Sequence, residues 1–202
     1  MKRGIEKVLP DGYKEAYTID AKDKKTGLIM NGVAFGILAL VLFAFFPLVF
    51  IGDRFSVTAG YTEMLVAILI FCVSMFVYIV LHELTHGAVY KLLTKEKLSF
   101  GISWSCAFCG VPNVYVYRYV AILALIAPLI LFTFVFVPLC VAMYFVNPAY
   151  YLFSLILLGM HIGGCAGDIY GTYLFLFKFK DKTTLLRDTG PKQSFYILEE
   201  EK

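Results

Sequence analysis

Four apolar runs, at residues 28–51, 64–93, 119–146 and 150–177, constrain this 202-residue chain more than any other feature. Each exceeds the roughly 20 residues that a helix needs to cross the hydrocarbon core of a bilayer. Backbone groups in lipid must be satisfied inside the segment, and a helix does this alone. The sequence therefore predicts an all-α membrane protein with four transmembrane helices, the last turns of the second leaving the membrane. Composition agrees: 60% hydrophobic, 16% charged and mean hydropathy +0.77 lie far from a soluble-domain average.

Orientation follows from the 18 Lys and Arg. Seven precede the first span, Arg54 alone separates spans one and two, and Lys91, Lys95, Lys97 and Arg118 separate two and three. None separates three and four, and six follow from Lys178 onward. Basic residues stay on the cytoplasmic side, which puts both termini and the second connection there. These flanks account for the net charge of +3 without a nucleic-acid partner, leaving the lipid bilayer as the evident one. Residues 1–27 lack a short apolar core with a cleavage site, so the first span reads as an uncleaved anchor behind a solvated leader that could be helical. Residues 28–178 form the membrane domain. In the tail, 179–202, the apolar Phe195-Tyr196-Ile197-Leu198 could be a short strand or a docking segment.

The ionisable groups inside the spans carry the chemistry. Of 15 acidic residues only Glu83 and Asp168 fall within apolar runs, and all three histidines, His82, His86 and His161, share spans two and four with them. Such groups are costly in lipid and normally pair, line water or bind an ion. His82-Glu83-Leu84-Thr85-His86 is an H-E-x-x-H signature: residues four apart share a helix face, so both imidazoles can hold one metal while Glu83 reaches its water. Asp168 lies ten residues before Lys178 and His82 nine before Lys91, so both should sit about 15 Å inside the cytoplasmic end. His161 would be about 10 Å deeper. Asp168 is the better third ligand of a His-His-carboxylate set, and His161 follows if a kink in span four shifts the levels. Gly159, Gly163, Gly167 and Gly171, spaced by four, offer a groove through which a neighbouring helix could approach Asp168. A polar route from the cytoplasm could pass Thr85 and Tyr90.

The connection at 98–118 adds two features. Residues 99–105 alternate polar or small with apolar, Val114-Tyr115-Val116-Tyr117 is β-branched and aromatic, and 110–113 supplies a turn. A small β-hairpin at the membrane surface fits, as does an aromatic interfacial loop. Cys106-Ala-Phe-Cys109 lacks a second pair or a redox fold and reads as structural, as do Cys72, Cys140 and Cys165.

With H-E-x-x-H on one span, a hairpin-like connection, a third span and Asp168 on the fourth, the chain resembles the core of site-2 proteases, the intramembrane zinc metalloproteases. Over nearly its whole length, Leu9-Pro10-Asp11-Gly12-Tyr13, Asp23-Lys24-Lys25, Ala127-Pro128, Gly167-Asp168-Ile169 and Arg187-Asp188-Thr189-Gly190 resemble a family of small bacterial membrane proteins described as zincin peptidases. The resemblance implies a multi-pass protein of the bacterial cell membrane that holds Zn2+ on His82, His86 and Asp168. It implies hydrolysis of a membrane-protein or peptide substrate, with Glu83 as general base on zinc-bound water. A strand edge within 100–117 could hold the extended substrate. The last core helix of site-2 proteases resembles Asn-x-x-Pro-x-x-Pro-Leu-Asp-Gly, whereas this chain has no proline between His161 and Asp168 and no glycine after Asp168. His161 lies near the offset of that asparagine and could contact the oxyanion or substrate. The other readings are a zinc-binding membrane scaffold or sensor without peptidase activity, and hydrolysis of lipid-linked bonds. Spans one and three hold no ionised side chain, which disfavours a carrier.

Overall fold

The computed structural model describes residues 4–50, 61–103 and 106–199. Ile51, Asp53, Arg54, Trp104, Ser105, the tail beyond 199 and the side chain of Glu63 lie outside the described residues. Four stretches are helical, long and apolar enough to cross a membrane: Lys24–Leu48, Met64–Thr94, Arg118–Val146 and Pro148–Lys178. The first contains α1 (Lys24–Phe45), the second lies in α2 (Tyr61–Thr94) and the third is α3 (Arg118–Val146). The fourth is divided: α4 (Pro148–Gly164) ends, Cys165 intervenes, and α5 (Ala166–Tyr173) runs on into a π turn at Leu174–Lys178. Asn147 starts α4 as its N-cap, accepting the Ala149 N–H at 2.8 Å, with Pro148 in the first turn where a missing N–H costs nothing.

The expectation of an all-α chain needs correction, because a five-stranded antiparallel sheet accompanies the helices. Its strands β1 (Ile5–Glu6), β2 (Tyr13–Asp20), β5 (Tyr115–Tyr117), β6 (Leu185–Asp188) and β7 (Lys192–Leu198) run in the order β1-β5-β6-β7-β2. The leader, read as able to form a helix, is therefore partly a strand, and Phe195–Leu198 lies in one too. A bulge between Glu15 and Tyr17 breaks the alternation of β2, which hides the strand from a period-two reading. A separate hairpin pairs β3 (Ser99–Ile102) with β4 (Ala107–Gly110). The expected partner of β3, residues 114–117, instead supplies β5 to the larger sheet. The side chains of Val114 and Val116 are fully buried there, whereas a surface hairpin would leave them exposed.

The chain divides into two compact units. One comprises Met1–Met30, Leu81–Pro128 and Gly167–Lys202 and contains both sheets. The register places Ile5, Val116, Leu186, Phe195 and Tyr17 side by side across its five strands. That apolar stripe packs on Val120, Ala121, Ala124 and Leu125 of α3 and on Leu174 and Phe175 after α5. Each large side chain buried this way contributes about 1.5–3 kcal/mol, enough to hold strands as short as β1 in place.

The other unit, Asn31–Val80 with Leu129–Ala166, is wholly helical among its described residues. Tyr78, Phe132, Phe136, Tyr151, Leu155 and Leu158 form its core. Gly159 and Gly163 lie against α1: a Cβ on Gly163 would stand 2.6 Å from the Ala34 carbonyl oxygen, and one on Gly159 would stand 2.7 Å from Leu38. The small-residue groove thus admits α1 there. Gly171 faces Leu125 and Gln193, and Gly167 has no neighbour within 4 Å of a Cβ position.

Candidate metal centre

α2 carries His82 and His86 one helical turn apart, both buried, with Glu83 half-buried beside them. Asp168 enters from the first turn of α5, where the N-terminal end of the helix dipole favours an anion. All four belong to the same compact unit.

His82 Nε2 and His86 Nε2 are 3.1 Å apart, and Asp168 Oδ2 is 3.4 Å from the first and 3.5 Å from the second. Charge-assisted hydrogen bonds between imidazole and carboxylate would be shorter, about 2.7–2.9 Å. A tetrahedral ion with bonds of about 2.0–2.1 Å instead demands ligand atoms separated by about 3.3–3.4 Å. The two sides to Asp168 match the second geometry to within about 0.1 Å, and the side between the imidazoles, 3.1 Å, is slightly shorter. His86 Nδ1 lies 2.8 Å from the Ala124 carbonyl and donates to it, which fixes the tautomer and leaves the Nε2 lone pair facing the other two atoms. Two nitrogens and a carboxylate oxygen form a donor set that suits zinc.

The backbone N–H of Cys109 on β4 lies near the Glu83 carboxylate. The hairpin comes close to α2 at Gly87 as well, where a Cβ would stand 2.7 Å from the Phe100 ring. Thr85 Oγ1 donates to the Leu81 carbonyl at 2.8 Å, and Tyr90 is 1% exposed, so Tyr90 does not line the polar route expected past it. Its hydroxyl donates instead to Asp188 Oδ2 at 2.7 Å, an interaction the sequence reading missed. The signal was present in the Arg187-Asp188-Thr189-Gly190 motif and in the position of Tyr90 one turn beyond His86.

His161 belongs to the other unit and is fully buried. Its Nδ1 lies 2.9 Å from the Tyr78 hydroxyl and its Nε2 3.1 Å from Thr133 Oγ1, within an edge-on cage of Tyr78, Phe132 and Phe136. Cys106 Sγ lies 3.3 Å from Ser103 Oγ, and Cys109 is a buried thiol. Burial pushes the Cys109 thiol up to about 12, so it is a protonated packing group at neutral pH.

The fold and these donors define a protein with four potential membrane-spanning helices and a buried His-His-Asp cluster able to hold a metal ion. The chain belongs to the family described as "Putative zincin peptidase", which matches residues 75–183, more than half of its length. That membership supports a metallopeptidase and implies zinc. No curated protein and no solved structure matches the chain.

Proposed function

We propose that the chain is an intramembrane zinc metallopeptidase that cleaves peptide bonds in or near the bacterial cell membrane, with both termini in the cytoplasm. One observation supports the reading: His82, His86 and Asp168 bring three candidate ligand atoms within 3.1–3.5 Å of one another, near the spacing of tetrahedral zinc, while Glu83 stands on the same turn of α2. The resemblance to site-2 proteases supports it, as does family membership. Bound zinc would lower the pKa of a water from 15.7 to about 7 and polarise the scissile carbonyl.

The chain's own residues supply the rest. His82, His86 and Asp168 would hold the ion. Glu83 takes the proton of the attacking water and delivers it to the leaving amine. Burial of the two histidines excludes competing solvent from the ligands.

A peptide must be extended before its carbonyl is accessible, and the hairpin offers an edge for it. The Ser103 N–H donates to the Cys106 carbonyl, which sets the hydrogen-bonding phase. With β3 and β4 in register, the backbone groups of Ala107 and Cys109 turn away from β3, on the side of Glu83. Substrate adds as a strand at that edge.

The test is a pair of variants in the purified protein. Glu83→Gln retains zinc and loses cleavage of a quenched-fluorescent peptide library, and Asp168→Ala loses zinc. Undiminished cleavage by Glu83→Gln would refute the assignment of the base. Cleavage of a lipid-linked pool in place of peptides would move the substrate class.

A further inference from the structure

Glu83 and Tyr90 stand seven residues apart on α2, close to two full turns, so they project from one face about 10 Å apart along the axis. Each faces a neighbouring strand. Glu83 lies near Cys109 of β4, and the Tyr90 hydroxyl donates to the Asp188 carboxylate at the end of β6. The other carboxylate oxygen, Oδ1, accepts the Gly190 N–H at 2.9 Å and so shapes the β6–β7 turn, where Gly190 has φ +98°. That turn lies against the end of β4. The Asp188 carbonyl accepts the Val111 N–H at 2.8 Å, and a Cβ on Gly110 would collide with the Gly190 nitrogen and stand 2.8 Å from the Asp188 carbonyl oxygen.

The phase of β4 gives these contacts a consequence. Cys109 and Val111 are two residues apart in extended chain, so their N–H groups point from the same edge. The carbonyl that captures Val111 therefore also fixes the edge from which the Cys109 N–H points, away from β3. Asp188 is 2% exposed and joins α2, the turn and the β4 edge. A buried carboxylate is expensive to maintain, and the peptide chemistry above does not use it.

We propose that Asp188 is a positioning residue: by clamping Tyr90 to the β6–β7 turn it holds the outer edge of β4 in register with Glu83. The role rests on the peptidase reading of that site. It also extends the working unit past residue 183, where the family match ends.

Hydrogen–deuterium exchange of the zinc-loaded full chain in detergent, read over residues 107–113, tests this alongside zinc content. Tyr90→Phe and Asp188→Ala should exchange this segment about tenfold faster, as expected for local opening after loss of one buried hydrogen bond. Zinc content and exchange across the β2–β7 pair should remain those of the wild type. Asp188→Asn keeps an acceptor for Gly190 and a polar partner for Tyr90, and should restore most of the protection. Should Asp188→Ala fail to fold, Tyr90→Phe carries the test alone. Wild-type exchange over 107–113 in Tyr90→Phe would overturn the proposal, as would equal acceleration throughout the sheet. Retained cleavage in Glu83→Gln would instead overturn the peptidase reading, whatever the exchange result.

Discussion

Replacing Asp168 by alanine separates a metal ligand from a merely structural acid. The three ligand atoms form a nearly regular triangle, so each should contribute a comparable share of the binding energy. Structural four-ligand zinc sites bind with about 10–16 kcal/mol, or about 3 kcal/mol per ligand, and losing one should raise Kd about 100-fold. At a free zinc concentration 100 times the wild-type Kd, the ion stabilises the wild type by about 2.7 kcal/mol. The variant, then near its own Kd, gains only about 0.4 kcal/mol. For a chain of this length these values correspond to zinc-induced increases in Tm of about 5–10 °C and about 1 °C. Thermal unfolding in detergent, with zinc and with chelator, measures both, and elemental analysis checks occupancy. If Asp168 only bridges the two imidazoles, its removal destabilises the chelated protein and leaves the zinc increment unchanged. Equal zinc increments and equal zinc content in variant and wild type would refute the ligand assignment.

Other perturbations reach separate parts of the molecule. Glu83→Gln should keep stoichiometric zinc while kcat falls about 10²–10⁴-fold, the usual contribution of a general base. Ala107→Pro removes an outward N–H without removing a hairpin hydrogen bond and should raise KM; Ile102→Pro on the opposite edge should not, and identical kinetics for both would remove the strand-addition step. Gly163→Leu should cost about 1–3 kcal/mol by forcing side-chain atoms into the Ala34 backbone, with zinc content unchanged because the candidate ligands His82, His86 and Asp168 lie in the other unit. Burial pushes Asp188 up to about 7 despite hydrogen bonds from Tyr90 and Gly190 that favour its anion. Between the ordinary 3.8 and about 7 the folded chain keeps a proton that the unfolded chain releases, so stability should fall as pH rises through that window. Asp188→Asn should flatten that slope in unfolding curves, and an unchanged slope would assign it to another group.

The residues of the candidate site were legible because they violate their surroundings. Two imidazoles and a carboxylate at helical spacing inside an apolar run demand a reason, and the depth count matched Asp168 to His82 without any contact information. The counting nonetheless assumed an unbroken fourth span. The interruption at Cys165 has no proline to announce it. Of the glycine ladder, Gly159 and Gly163 receive α1, whereas Gly167, next to Asp168, has no neighbour within 4 Å of a Cβ position; four-residue spacing does not name the neighbour. Tyr90 looked like a polar lining residue because a hydroxyl near a metal motif suggests water, whereas its partner is an aspartate 98 positions away.

By itself the sequence determined the four apolar helices, the H-E-x-x-H face and its carboxylate partner, because hydrophobic length and helical period are local properties. Only the tertiary structure decided the five-stranded sheet, the partner of β3 and the Asp188 bridge from α2 to the edge of β4. Those depend on pairing between distant segments, such as Tyr13 with Leu198, whose hydrogen bonds form only after the chain has closed around a shared core.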